Sequence, residues 1–287
     1  MPRSRPTDLY RRSIEVILDG QAPSGAYVAS PTFPPYQFCW LRDGAFIADA
    51  MSRAGERASA EAFFGFVERL DGFDARYRLD GRPDESEEWP LRQHDGWGLF
   101  LWAVREHCRR HGVRQRWQTG RIVRHLERVR YEPCVDWWEE REGIHAATLA
   151  CIAAGLEDDL DLSRAEDRLD ASLLALPVLG YELSRPLDDL VSPGGGVWRN
   201  LDDEYYGGGE WLLLTAMWGL CFETQAAACL EWVEAHATPD GDLPEQAQDH
   251  LLRPERYEYW AEKWGPPPSP LLWSHAMYLD LAFVLQH

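Results

Sequence analysis

Apolar residues recur at spacings of three and four along most of this 287-residue chain, which is the pattern of amphipathic α-helices. The first helix is predicted over 9–18, where Leu9, Ile14, Ile17 and Leu18 share one face and Gly20 follows. Further segments bring the prediction to about ten helices. They span 44–54, 56–70, 95–108, 115–129, 144–154, 164–176, 210–222, 224–235 and 274–285.

Glycines stand directly after several of these helices. A glycine there is a common stop signal, because it adopts the left-handed conformation without steric cost. Gly55 and Gly112 are expected to end the helices before them, and Gly155 is expected to cap the helix over 144–154. Ser163 is a candidate N-cap for the helix over 164–176.

The segments between the helices are long, notably 21–41, 71–92, 192–209 and 238–270. Loops longer than about 12–15 residues are uncommon in compact domains unless they build a functional site. No linker or low-complexity tract divides the chain. The sequence therefore predicts a single all-α domain over 1–287, made of helical hairpins with functional loops at one end.

Composition narrows the classes of protein. The net charge of −19 argues against a nucleic-acid or anionic-membrane partner, whereas a neutral polyol is compatible with it. No apolar run reaches the roughly 18 residues of a membrane span, and no apolar segment of a signal peptide follows the N-terminus. The six cysteines are scattered without a Cys-x-x-Cys pair, which indicates buried thiols in a reducing cytoplasm.

No pattern indicates a metal or another cofactor. The nine histidines lack metal-ligand spacing, and His94, His145 and His275 are expected to be structural. The glycine run at 194–196 is not followed by the Lys-Ser/Thr of a phosphate loop. The fourteen tryptophans point elsewhere, since indoles beside charged groups are typical of carbohydrate pockets. Those beside charged residues in Gly/Pro-rich segments are Trp40, Trp89, Trp137, Trp138, Trp198, Trp211 and Trp264.

Segment 134–141 places two tryptophans directly before two glutamates. Asp136 could be a helix N-cap with Glu139 in the first turn, and on charge alone this interpretation is favoured. The indoles favour another, because a glutamate held against apolar rings has a raised pKa, as a general acid requires. A glycosidase needs a second carboxylate, and Glu245 is the best candidate. Leu243-Pro244 would give it a stiff approach, although a solvated turn acid is the ordinary alternative.

Six motifs then occur in order along nearly the whole chain and together resemble glycoside hydrolase family 15, the glucoamylase-type enzymes. They are 36–44 with Trp-x-Arg-Asp, 89–96, 136–140, 198–207 followed by Trp211, 243–246 and 273–276. The resemblance implies an (α/α)6 barrel and inverting, exo-acting hydrolysis that releases β-glucose from the non-reducing end of short α-glucans. It implies Glu139 as general acid and Glu245 as general base, without a metal or cofactor. Its substrate-binding residues would be Tyr36, Trp40, Arg42, Asp43, Trp89, Asp95, Glu140, Arg199 and Trp211.

Alternatives remain for several of these residues. Arg42 and Asp43 could form a local ion pair at a helix start, and Arg199 a surface ion pair with Asp202 or Asp203. Trp138 and Trp211 suit a hydrophobic core as well as a sugar-facing wall. For Trp89 a position in the pocket is favoured over the core, because it lies in a polar loop.

The chain also departs from the family pattern. It is short for the family, so one helical hairpin of the barrel is expected to be reduced or missing, and no N-terminal β-sandwich domain is expected. Trp137 replaces the usual Leu, and His94 stands where Arg is common. These changes leave the type of glycosidic bond that is cleaved undecided. The α-1,6 bonds of isomaltose or dextran and the bond of α,α-trehalose are alternatives to those of short α-glucans. A non-catalytic glucan-binding protein and a phosphorylase are the more distant ones.

Overall fold

The computed structural model describes residues 8–85 and 90–286, and helices dominate them. The α-helices are α1 (Asp8–Asp19), α2 (Leu41–Ala54), α3 (Arg57–Glu68), α4 (Asp95–His111), α5 (Gly120–Val129), α6 (Ala146–Leu156), α7 (Ala175–Val178), α8 (Leu212–Cys221), α9 (Ala226–Ala235), α10 (Tyr257–Trp264) and α11 (Leu272–Gln286). None of these helices is long and apolar enough to cross a membrane. All six cysteines lie in the described residues and are free thiols.

Six helical positions form a closed inner ring. The ring runs from α11 through α2, α4 and α6 to the segment 171–178, and from there through α8 back to α11. Helices α6, α8 and α11 are buried over most of their length, because an inner helix is surrounded by neighbours on every side. Helices α1, α3, α5 and α9 pack outside this ring. The prediction of an all-α barrel is confirmed.

The reduction of the barrel affects two neighbouring hairpins, where the sequence predicted one. The fourth inner position is only a 3-10 turn, Ala171–Leu174, followed by the four-residue α7. In the described residues, no outer α-helix follows either α6 or α7. The ring nevertheless closes, since the short segment 171–178 still contacts α6 and α8.

The helix predicted over 164–176 is wrong. Asp170 has an extended backbone (φ −155°, ψ 138°), and its side chain accepts a hydrogen bond from the backbone N–H of Ser172 at 2.8 Å. This local side-chain bond competes with helix formation. Arg168, which lies in the same non-helical segment, forms an ion pair with Asp136 at 2.9 Å. Conversely, α10 lies inside the predicted loop 238–270 and was missed, since its apolar residues are aromatic rings in a short polar helix.

Glycines end two helices as predicted but not the third. Gly55 (φ 97°) and Gly112 (φ 60°) are left-handed C-caps of α2 and α4. Gly155 instead lies inside α6, and Glu157 (φ 58°) is the cap. The reason is packing: a Cβ on Gly155 would lie 2.4 Å from the carbonyl oxygen of Gly98 in α4. The glycine is needed for the close approach of two inner helices.

Short antiparallel strands gather at one end of the ring. They are β1 (Cys39–Trp40), β2 (Arg76–Tyr77), β3 (Cys134–Val135), β4 (Glu142–Gly143), β5 (Val197–Trp198), β6 (Glu210–Trp211) and β7 (Gln246–Ala247). β1 pairs with β2, β3 with β4, and β5, β6 and β7 form one small sheet. Since β1 leads directly into α2 and β6 into α8, the strands hold the predicted functional loops over the N-terminal ends of inner helices.

Candidate active site

A cavity of about 440 Å³ lies among these loops. Indoles make up much of its wall, namely Trp40, Trp137, Trp138, Trp211, Trp260, Trp264 and Trp273. The charged residues that line it are Arg42, Asp43, Glu139, Glu140, Arg199, Asp202, Glu204 and Glu245. Flat apolar rings interspersed with hydrogen-bonding groups suit a sugar, whose faces are apolar and whose rim carries hydroxyls.

Glu139 lies in the tight turn between β3 and β4, not in a helix. Asp136 Oδ1 accepts hydrogen bonds from the backbone N–H groups of Glu140 (2.9 Å) and Arg141 (3.3 Å). The interpretation of Asp136 as a helix N-cap is therefore wrong. Glu139 itself has φ 62°, a left-handed conformation that costs a residue other than glycine roughly 1–3 kcal/mol. The folded surroundings must hold this glutamate in place.

The Glu139 carboxyl group is nearly enclosed, with its side chain 8% exposed. Trp40 Nε1 donates a hydrogen bond to its Oε1 at 2.6 Å, and Arg76 Nη1 donates one to its Oε2 at 3.4 Å. Burial raises the pKa of Glu139, although Arg76, Arg42 and the Trp40 N–H act in the opposite direction. A carboxyl group that holds its proton beside indoles has the property of a general acid.

Glu245 lies just before β7 and is 2% exposed, so the alternative of a solvated turn acid is excluded. Its backbone is fixed at both ends: its N–H donates to the carbonyl of Pro268 (2.9 Å), and its carbonyl accepts from the N–H of Leu212 (3.2 Å). Burial raises the pKa of Glu245 to about 8, while Arg199 and a hydrogen bond from Tyr36 act against that rise. Its Oε2 has no hydrogen-bond partner among the described residues.

Arg42 and Asp43 open helix α2 and are both buried. Arg42 Nη1 donates to Asp95 Oδ2 (2.9 Å) and Gln93 Oε1 (3.2 Å), and its guanidinium lies over the Trp137 ring. Asp95 thus sits behind Arg42. Burial raises the pKa of Asp43 to about 7 against the influence of Arg42. Both side chains line the cavity, so the interpretation of a merely local ion pair at a helix start is insufficient.

Arg199 is also buried, so the alternative of a surface ion pair is wrong. Its Nε and Nη2 donate to the two carboxylate oxygens of Asp203 (2.7 and 2.5 Å). Nη2 also donates to Glu140 Oε1 at 2.8 Å. The guanidinium lies over the rings of Trp138 and Trp211, 5.3 and 5.2 Å from their centroids. These two indoles are at once buried and cavity-lining, so both alternatives for them hold.

Two tyrosines stand beside Glu245. The Tyr36 hydroxyl lies 3.0 Å from the Tyr205 hydroxyl and is also hydrogen-bonded to Glu245. Sequence reasoning included Tyr36 but left out Tyr205, although Tyr205 lies in the quoted motif 198–207. It also left out Trp260, whose helix α10 was not predicted, and Arg76, whose strand has no recognisable motif.

Trp89 lies outside the described residues. All other sequence-predicted site residues except Asp95 line the cavity. His275 is structural, as predicted: its Nε2 accepts from the N–H of Leu243 (3.0 Å) and its Nδ1 lies 2.9 Å from Ser13 Oγ. Across 8–85 and 90–286, no group of three or more His, Cys, Asp or Glu side chains is arranged to hold a metal ion.

Comparison with solved structures defines the class of protein. A wild-type glycosidase matches with a TM-score of 0.83 at 33% identity, over 96% of this chain and 95% of its own. A variant glycosidase solved in complex with glucose matches with a TM-score of 0.83 at 32% identity, again over 96% and 95%. A bacterial glucoamylase complexed with acarbose matches with a TM-score of 0.74 over 98% of this chain and 55% of its own, and at 17% identity it shows the (α/α)6 fold alone. The protein is a glycosidase-type helical barrel.

Sequence comparison then gives the family. Residues 5–88 match the family model described as "Glycosyl hydrolases family 15". An isomaltose glucohydrolase of Kribbella flavida is 35% identical, over 96% of this chain and 92% of its own length. An uncharacterised glycosyl hydrolase of Methanocaldococcus jannaschii is 25% identical, over 89% and 52%. The chain belongs to glycoside hydrolase family 15 and is a glycoside hydrolase.

Proposed function

We propose that this protein is an inverting, exo-acting α-glucosidase that removes β-glucose from the non-reducing end of a short α-glucoside. The observation that carries the proposal is that Glu139 and Glu245, far apart in sequence, are both buried at one indole-walled cavity. The cavity volume of about 440 Å³ is near the lower end of the roughly 300–1,000 Å³ of ligand pockets, which favours one or two sugar rings over a long chain.

Glu139 acts as the general acid and Glu245 as the general base. Glu139 protonates the glycosidic oxygen while Glu245 removes a proton from the water that attacks the anomeric carbon on the opposite face. One displacement of this kind inverts the anomeric configuration. The reaction therefore needs a proton on Glu139 and none on Glu245. Burial raises the pKa of Glu245 to about 8, with Arg199 and Tyr36 acting against that rise, so only a minority of molecules carry the ionised base at pH 7.

The remaining cavity residues bind and orient the sugar. Asp43, with Arg42 beside it, accepts hydrogen bonds from hydroxyls of the terminal glucose, and the pair of Arg199 and Glu140 contacts hydroxyls from another side. The charge-assisted hydrogen bond between Arg199 and Glu140 (2.8 Å) makes that pair rigid, because each partner fixes the other. Arg42 and Asp43 are a looser ion pair, 3.8 Å apart. The indoles pack on the apolar faces of the rings.

The α-1,6 bond of isomaltose is the preferred bond in this proposal. Its support is the Kribbella flavida relative, which is named an isomaltose glucohydrolase and matches almost end to end. Short α-1,4 glucans and α,α-trehalose stay as the competing substrates of the same site.

The test is a substrate panel of isomaltose, maltose and trehalose, with the anomer of the released glucose followed by NMR. We expect isomaltose to have the highest kcat/KM and β-glucose to appear first. Release of α-glucose as the first product would refute inversion, and a higher kcat/KM for maltose or trehalose would refute the bond assignment.

Variants of the two glutamates test the assignment of roles. Glu139→Gln and Glu245→Gln should each lower kcat by roughly 10²–10⁴-fold, the usual contribution of general acid–base catalysis. Glu231→Gln, on the exposed side of α9, is the matched control and should leave kcat unchanged. Near-normal activity of either active-site variant would remove that glutamate from the mechanism.

A further inference from the structure

Arg76 is fully buried beside the candidate active site, yet it does not belong to the lining of the cavity. Its Nε donates to Asp84 Oδ2 at 2.8 Å, and the Asp84 side chain is only 2% exposed. Its Nη1 lies 3.4 Å both from the carbonyl oxygen of Pro90 and from Glu139 Oε2. A guanidinium held so far from water needs compensating partners, and these three oxygens provide them.

The strand pair β1–β2 explains why Arg76 reaches Glu139. Trp40 on β1 and Arg76 on β2 are direct cross-strand partners, so their side chains leave the ladder on the same face. The guanidinium lies 5.2 Å from the centroid of the Trp40 ring. Trp40 then donates to Oε1 of Glu139 and Arg76 to Oε2. One two-residue ladder supplies a separate donor to each oxygen of the carboxyl group.

This double contact meets a specific need of Glu139. Its left-handed backbone (φ 62°) is intrinsically unfavourable, and the glutamate side chain has three rotatable bonds that must be fixed. A hydrogen bond to a single oxygen would leave the carboxyl group free to rotate about it. Donors to both oxygens, each on the rigid β1–β2 pair, define the plane of the group.

We propose that Arg76, itself fixed by Asp84, is a positioning residue that orients the Glu139 carboxyl group and keeps Glu139 able to give up its proton to the leaving group. The inference rests on the proposed role of Glu139 as general acid. It adds a residue on a strand outside the cavity wall to the residues on which the proton transfer depends.

The charges around Glu139 give the direction of the effect. Among the described residues, Arg76 on β2, Arg42 and Asp43 on α2, and Asp95 on α4 act on Glu139. Burial is the main influence and raises its pKa, and Arg76 is the foremost group that opposes the rise. Removal of Arg76 therefore raises the pKa of Glu139 further. The acid becomes weaker, and the pH above which it loses its proton moves upward.

The test uses the double variant Arg76→Gln/Asp84→Asn, which removes both charges of the buried pair together. We expect kcat/KM for isomaltose to fall about 10–100-fold, in line with the effect of misplacing a catalytic group by an ångström. The limb of the pH profile of kcat/KM that reports loss of the Glu139 proton should move to higher pH. α-Glucosyl fluoride, whose leaving group needs little protonation, should lose much less activity than isomaltose.

A second variant covers the case in which the double variant does not fold. Arg76→Lys keeps the positive charge but cannot reach Asp84 and Glu139 together with a planar fork. It should show the same preference for the fluoride over isomaltose, with a smaller loss. An unchanged limb for loss of the Glu139 proton and an unchanged ratio of the two substrates in the folded variant would overturn the proposal.

Two controls separate the possible outcomes. Arg110→Gln breaks another ion pair to a buried carboxylate, that of Arg110 with Asp49 at 2.6 Å between α4 and α2, and should lower the melting temperature without changing the pH profile. Glu139→Gln tests the proposed function on its own. If Glu139→Gln is inactive and the Arg76 variants behave as wild type, only the positioning role fails; if Glu139→Gln stays active, the assignment of the general acid fails.

Discussion

Glu245→Gln is expected to inactivate the enzyme and, at the same time, to stabilise its fold at neutral pH. Glu245 is 2% exposed, and burial raises its pKa from the ordinary 4.5 to about 8. At pH 7 the unfolded chain therefore carries this glutamate ionised, whereas most folded molecules hold it protonated and a minority carry the ionised base. Gln resembles the protonated carboxyl group in shape and can keep a hydrogen bond with Tyr36, so the variant avoids the cost of taking up the proton.

The magnitude follows from the pKa difference. The stability contributed by Glu245 is highest below pH 4.5, falls as the pH rises from 4.5 to about 8, and is constant above that. Between 4.5 and pH 7 the loss amounts to roughly 3 kcal/mol, at 1.36 kcal/mol for each pH unit. For a chain of this length, that corresponds to a rise in Tm of about 5 °C in the variant.

The assay is thermal or denaturant unfolding of wild type and variant at pH 4, 5.5 and 7. We expect nearly equal stability at pH 4 and an advantage of Glu245→Gln that grows with pH. Glu231→Gln, at an exposed position on α9, should show no such trend. A variant that is less stable than wild type at pH 7, or a difference that does not change with pH, would refute the claim that the ionised form of Glu245 is costly in the folded protein.

Three further predictions concern packing and binding. Gly98→Ala should destabilise the fold by about 1–3 kcal/mol, because a Cβ there would lie 2.3 Å from a backbone oxygen of α6; Gly65→Ala, in a roomier part of α3, should be neutral or slightly stabilising in the same unfolding experiment. Arg199→Lys should lower kcat/KM about 10–100-fold, since Lys keeps the charge but loses the forked hydrogen bonds to two carboxylates, and steady-state kinetics with unchanged kcat/KM would contradict this. Trp260→Ala should raise KM for isomaltose several-fold and change the inhibition constant of glucose less. Trp260 lines the cavity from α10, a helix outside the inner ring, and is expected to pack on the second sugar. Equal changes in both constants would contradict that expectation.

The reduced hairpins show where pattern reasoning fails. The segment 164–176 has helical spacing, but Asp170 bonds its own neighbouring backbone and the indole N–H of Trp138, 2.8 Å away. For α10 the prediction failed in the opposite sense, because Trp260 and Trp264 line the cavity and no aliphatic stripe marks the helix. In the first case a local side-chain bond and the contact with Trp138 outweighed the helical spacing; in the second, the helix formed without the aliphatic period by which helices are recognised.

The sequence by itself determined the helical class, the family resemblance and most of the residues at the cavity. It could do so because helical periodicity is local, and because tryptophans beside paired carboxylates indicate a chemistry wherever they lie. Only the tertiary structure decided that Glu139 meets Trp40 across 99 positions, that Arg76 approaches Glu139 from a neighbouring strand, and that Glu245 is enclosed. These are properties of distance and burial between remote segments, and they set the proton affinities of the two glutamates, which no spacing along the chain encodes.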